Sequence, residues 1–157
     1  MGGARVNDPF GLERFVVAQN AGDTYAHAVS ELARGRKASH WMWFVFPQPA
    51  GLGRSATAKT YAIGSLAEAS AYLRHGVLGP RLLECCSVVA GLENLTAEHI
   101  FGSVDATKFR SSMTLFSCAD ASDAIFVGIL HAYFDGAADQ ATLQLLGLDH
   151  IPPRRPD

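Results

Sequence analysis

With 157 residues, 48% of them apolar, the chain has the length of one domain and enough apolar side chains for a buried core, which excludes a disordered segment. Charged residues make up 18% and the formal net charge is −2, a balance that opposes extended phosphate tracking and leaves nucleic acid an unfavoured partner. No run approaches the ~18 apolar residues of a membrane helix, so no membrane partner is expected.

Met1 to Asp8 hold one Arg and no apolar run, and read neither as a signal nor as a transit peptide. Asp8-Pro9 predicts the start of a first helix with Leu12, Phe15, Val16 and Gln19 on one face. Thr24 caps a second, with Tyr25, Ala28, Val29 and Leu32 inward and Gly35 at its end. Ser65-Leu66-Ala67-Glu68 is a capping box, and Gly79-Pro80 starts a helix that buries Leu82, Leu83, Cys86 and Val89. A short helix over 96–101 stops at Gly102. A longer one runs from Ser103 to about Ser117 with Phe109, Met113 and Phe116 on one face. Asp120 or Ser122 caps the next, which Asp135-Gly136 breaks, and residues 140–146 form the last. No strand pair, repeat or linker is visible. The expectation is an all-α chain, a compact orthogonal array of about seven to eight short helices over 1–150, followed by a disordered Pro/Arg tail over 151–157.

Residues 34–55 stand apart. Both tryptophans, Trp41 and Trp43, fall within three residues, after Arg34, Arg36 and Lys37 and before a Gly-rich turn. Ser39 caps a short helix over 41–46 in one reading; in the other, those six residues are a buried strand. Either way they form a core element, or else one Trp lines a pocket and stacks a flat ligand, with His40 and Gln48 as polar handles. Gly51, Gly53, Arg54 and Ser55 either make a backbone nest for phosphate or a plain turn between helices. Further on, Asp105, Lys108 and Ser112 recur at i, i+3 and i+7, with Ser111 beside them. They form a solvated helix face or a polar strip along a cleft.

The histidines are scattered, with no His-x-x-x-His pair and no Cys-x-x-Cys, so no metal site and no cofactor are expected. Cys85, Cys86 and Cys118 are an odd number in apolar surroundings and read as reduced, buried thiols of a cytosolic protein.

Ser39 to Gln48 and Gly51 to Ser55 strongly resemble the domain of unknown function 1810 family of small bacterial proteins. The resemblance continues through Asp8-Pro9-Phe10, Arg14-Phe15-Val16, Tyr61-Ala62-Ile63, Leu78 to Leu82, Ile100-Phe101-Gly102 and Ser111 to Phe116, nearly the whole chain. It departs at Gly76 and Pro49, where the family has Pro and Leu. The resemblance implies a compact, all-helical single domain in the cytosol and brings no established activity. A looser likeness joins Glu68-Ala69, Leu78 to Leu83, Phe101-Gly102, Asp105 and Ser111 to Phe116. In that order they are similar to the NAD and ADP-ribose associated family, helical proteins acting on ADP-ribose derivatives. That family has Trp-Gly where this chain has Phe101-Gly102, and its Asn-containing motif is missing here.

Two functions follow as expectations. In the first, the chain binds or hydrolyses an ADP-ribose-like or other phosphorylated nucleotide. Lys37, His40, Trp41, Trp43, Gln48, Gly51, Gly53, Arg54, Ser55, Ser111 and Ser112 contact it. Asp105 is the base that positions water for N-glycosidic cleavage, and Lys108 holds the phosphate or leaving group. Glu68 and Glu84 stand as alternative carboxylates. In the second, the chain is a non-catalytic protein-interaction module. A monomer or a homodimer fits both.

Overall fold

A computed structural model describes residues 7–120 and 123–153. Among the described residues the regular elements are all helical: α1 (Glu13–Asn20), a 3-10 turn (Ala21–Asp23), α2 (Thr24–Ala33), α3 (Met42–Val45), α4 (Ala56–Thr60), α5 (Leu66–Arg74), α6 (Leu78–Ala90), α7 (Ala97–Phe101), α8 (Ser103–Ala119), α9 (Ala124–Phe134) and α10 (Gln140–Leu146). No strand forms among the described residues. The nearest to one is a single parallel bridge between Pro49 and Ile63.

The core is built around α8, the longest helix at 17 residues. Residues 111–117 are all buried, so the second half of this helix is enclosed on every side. Phe109, Met113 and Phe116 are fully buried, as their spacing predicts. Of its hydroxyl residues, exposed Thr107 and buried Ser111, Thr114 and Ser117 bond to carbonyls one turn back, which lets the buried three lie in the interior. α5, α7, α9 and α10 pack on α8, while α6 joins α2, α5 and α9. Edge-to-face rings of Phe46, Phe101 and Phe109 seat α3 and α7 against it.

Several boundaries differ from the sequence expectation. α1 begins at Glu13, not at Pro9, because Gly11 at φ +66° turns the chain first. Asp8 still caps it from outside: Leu12 N–H donates to Oδ1 at 2.7 Å and Glu13 N–H to Oδ2 at 3.0 Å. α6 starts at Leu78, and its cap is His75, whose Nδ1 accepts from the N–H groups of Val77 and Leu78. α4 follows directly on the stretch read as a turn and is a helix that the sequence reading did not place. Asp123, rather than Asp120, caps α9 through Ile125 N–H; Ser122 lies outside the described residues. At the C-terminal end Ile151 packs on the core, and 154–157 lie outside the described residues. Residues 1–6, which carry most of the N-terminal reading, lie outside them as well.

Candidate functional site

The segment 34–55 is organised by a carboxylate from α2. Glu31 Oε1 accepts from the N–H groups of Ala38 and Ser39 and from Trp41 Nε1, and Oε2 accepts from the Ser39 hydroxyl. Burial alone would raise the Glu31 pKa. The bonds from Ser39, Ala38 and Trp41 override it and hold the group at about 2. Ser39 is thus spent on Glu31 instead of capping the next helix, and α3 begins without a side-chain cap. Trp41 is 0% exposed. A fully enclosed ring offers no face to a ligand, so Trp41 is a core side chain, which corrects the stacking role expected of it. Trp43 is half-buried.

Two lysines share one carboxylate at the start of α8. Asp105 Oδ2 lies 2.9 Å from Lys37 Nζ, and Oδ1 lies 3.7 Å from Lys108 Nζ. Each ammonium also sits over an indole: Lys37 is 5.1 Å from the Trp41 ring centroid and Lys108 5.2 Å from that of Trp43. Lys37 further donates to the Ser39 carbonyl at 2.6 Å. Glu31 lies on the same Ser39 and Trp41 that Lys37 contacts, so Lys108, 3.7 Å from a carboxylate it shares, is the more weakly paired of the two ammoniums.

Lys108 opens onto a cleft of about 420 Å³. One wall is α8, with Val104, Thr107, Lys108 and Ser111; another is the segment after α3, with Gln48, Leu52 and Gly53; the third is the start of α10, with Asp139 and Ala141. That volume is within the range of small-molecule sites, ~300–1,000 Å³. The backbone of Gln48 is held by the short bridge, its carbonyl accepting from Ile63 N–H at 2.9 Å. Its half-buried side-chain amide makes no hydrogen bond among the described residues. Asp139 is fixed from two sides. Its N–H donates to Thr114 Oγ1 at 2.9 Å, while Arg110 grips the carbonyls of Ala137 and Ala138 just before it. Oδ2 accepts from Thr142 N–H, the Thr142 hydroxyl and the Ser111 hydroxyl. Oδ1 takes none of these three bonds.

The structure therefore gathers Gln48, Gly53, Lys108 and Ser111 in one place, with Asp105, Lys37 and Trp43 beside them. Both oxygens of Asp105 face lysines, which removes it from the position of a free base. Ser112 is fully buried one turn beyond Lys108, outside the cleft lining, and its Oγ has no hydrogen-bond partner among the described residues. His40, Gly51 and Arg54 are exposed and lie outside the lining. Ser55 is a cap, its hydroxyl accepting from Ala58 N–H at 3.0 Å, and Gly53 is small because a Cβ there would stand 2.3 Å from the Ala58 Cβ. The Ser55 side chain is thereby committed to the start of α4, while residues 51–54 precede that helix. Glu68 pairs with Arg14 at 2.8 Å and takes Gly64 N–H, and exposed Glu84 accepts from Tyr25; neither lines the cleft.

Asp139 was not legible as a site residue. The only local sign is an Asp before a helix start, the mark of a cap, and its place opposite Lys108 depends on the path of the α9–α10 connection. A larger cleft, about 700 Å³, lies between the N-terminal turn and the end of α5, but its Asp8 and His75 are already committed as caps. No group of three or more His, Cys, Asp or Glu suited to a metal is present among the described residues, and no helix there is long and apolar enough to cross a membrane. All three cysteines are free, and burial raises the pKa of each thiol, to about 12 for Cys85 and about 11 for Cys118.

Comparison with known proteins places relatives around this geometry. The model of a protein family of unknown function, DUF1810, matches residues 9–146. Among solved structures, the crystal structure of the conserved hypothetical protein Rv1873 from Mycobacterium tuberculosis is similar, with 50% identity and a TM-score of 0.87. The match covers 90% of this chain and 99% of that one. No curated protein matches.

Proposed function

The chain belongs to the DUF1810 family of proteins of unknown function, and we propose that it binds the sugar–phosphate part of a phosphorylated nucleotide, of the ADP-ribose kind, in the cleft at Lys108. The observation that carries this reading is the cleft itself, where an ammonium with only a shared counter-charge stands across from a free amide and a fixed carboxylate. Lys108 meets the phosphate, and Gln48 and Asp139 meet hydroxyls. No aromatic ring is among the lining residues, so the base of such a ligand stays outside the cleft and contributes little by stacking. The similarity in helix order to proteins acting on ADP-ribose derivatives supports the ligand class.

N-glycosidic hydrolysis needs a carboxylate able to take a proton from water. Asp139, with one oxygen outside its capping bonds, is the carboxylate in the cleft that meets the requirement, and a hydrolytic role rests on it.

The test is thermal denaturation of the wild type and Lys108→Ala with ADP-ribose, AMP and inorganic phosphate. Ligand at ~100 times Kd adds about 2.7 kcal/mol, a rise of several degrees, which Lys108→Ala abolishes while leaving the ligand-free Tm within a degree or so. No shift with any of the three overturns the reading. The interaction module then takes its place, because Val104 and Leu145 are exposed by 68% and 49% at and near the same cleft, with Leu145 packed on Gly51.

A further inference from the structure

We infer that the cleft discriminates for a vicinal diol beside the phosphate, with Gln48 and Asp139 as the specificity-determining pair, so that a ribosyl phosphate is taken and its 2-deoxy counterpart is refused. The inference rests on the phosphate reading above and adds the sugar chemistry to it.

The argument is an account of hydrogen-bonding capacity. Of the polar side chains around the cleft, Thr107 bonds to the carbonyl one turn back and Ser111 shares its one proton between the Thr107 carbonyl and Asp139 Oδ2, so neither hydroxyl has a donor left to offer. Lys108 is a donor only. What remains is an amide at Gln48 with one acceptor and two donors, and a carboxylate at Asp139 with Oδ1 outside its three capping bonds. An ionised carboxylate accepts and does not donate, so it asks the ligand for a hydroxyl. An amide beside it both donates and accepts, the complement of a second hydroxyl on the neighbouring carbon.

Charge points the same way. Lys108 and Asp139 stand on different walls of the cleft, so a ligand that is anionic everywhere meets repulsion at one end. A ligand anionic at one end and hydroxylated at the other meets none. Both diol-reading groups are held by the backbone: Gln48 by the bridge to Ile63, Asp139 by Thr114 and Arg110. The Asp139 carboxylate, bonded to Thr142, needs little reorganisation on binding, whereas the Gln48 amide is placed by its backbone and ordered by the ligand.

The experiment is calorimetric titration of the full chain with D-ribose 5-phosphate, 2-deoxy-D-ribose 5-phosphate and inorganic phosphate. It uses the wild type, Gln48→Ala and Asp139→Asn. Asn caps a helix as well as Asp does, so Asp139→Asn keeps α10 and an unchanged Tm is its control. The expected result is ribose 5-phosphate binding about tenfold or more tighter than the deoxy sugar, because the missing hydroxyl leaves a partly buried polar group unpaired. Either substitution brings the two sugars to equal affinity while phosphate binding is retained. Equal binding of both sugar phosphates by the wild type overturns the inference and leaves the phosphate reading standing, and so does an undiminished preference in Asp139→Asn. Binding of none of the three removes that reading, and the inference with it.

Discussion

Glu31 ties the end of α2 to the segment that carries both tryptophans, and its four bonds make that tie depend on charge. Its folded pKa, about 2, lies below the ordinary 4.5. The stabilisation is therefore present in full above about pH 4.5 and is lost as pH falls through 2. A depression of that size corresponds to about 3 kcal/mol. Urea denaturation at pH 7 and at pH 2.5 should show the wild type losing most of that increment. Glu31→Gln, which retains one carbonyl acceptor, should start about 2 kcal/mol lower at pH 7 and lose less on acidification. A pH dependence unchanged in Glu31→Gln would show that other carboxylates carry the acid response. Glu31 was invisible to a sequence reading that marked its partners Ser39 and Trp41 for other roles, a helix cap and a stacking ring. The bonds join residues seven to ten apart across the end of a helix, a separation that no helical period marks.

At the scale of elements, Gly79 shows packing overruling propensity. It sits inside α6, where replacing Gly by Ala ordinarily stabilises by about 0.5–1 kcal/mol. Here a Cβ would lie 2.1 Å from the backbone carbonyl oxygen of Leu73, near the end of α5. A backbone atom cannot swing aside, so α5 and α6 must separate. Gly79→Ala should destabilise by about 1–3 kcal/mol, lowering Tm by several degrees in calorimetry. A rise in Tm would mean that the two helices are less closely seated than described. Helix ends written in local chemistry were legible: Gly35 at φ +74° ends α2, Gly102 at φ +81° stops α7, and Asp135 and Gly136 end α9 with positive φ. The ends that escaped depend on geometry one loop away. Asp8 caps α1 from beyond a turn, and His75, a residue with no reputation as a cap, holds α6.

For the whole molecule, one continuous core reaches from α1 to α9 and includes Cys85 and Cys86, both fully buried. With Cys118 raised to about 11 and the other two higher still or similar, about one thiol in a thousand is ionised at pH 8 even at the most reactive position. Reaction with a disulfide reagent at pH 8 should therefore be slow in native protein and complete within mixing time in denaturant. Half-buried Cys118 should react first, and the rate of Cys85 and Cys86 should follow the global opening rate as urea is added. Rapid labelling of more than one equivalent without denaturant would contradict the burial of Cys85 and Cys86. The fold class was legible at this scale because apolar spacing at 3–4 residues recurs along almost the entire chain. The cleft was legible in part: Lys108, Ser111 and Gln48 stood out as polar residues in apolar surroundings. Their meeting with Asp139 requires α8, the post-α3 segment and α10 to converge, and no local pattern encodes that convergence.

The two indoles differ in surroundings although only Met42 separates them. One is sealed in the interior and bonded to a carboxylate; the other is half-open, with the Lys108 ammonium over its ring. The molecule thereby carries a built-in optical gauge and its own internal reference. An anion that draws Lys108 toward the cleft shifts the fluorescence of Trp43 and leaves the emission of Trp41 unchanged. Iodide quenching of the native chain reads Trp43 alone, so occupancy of the cleft is measurable without a label.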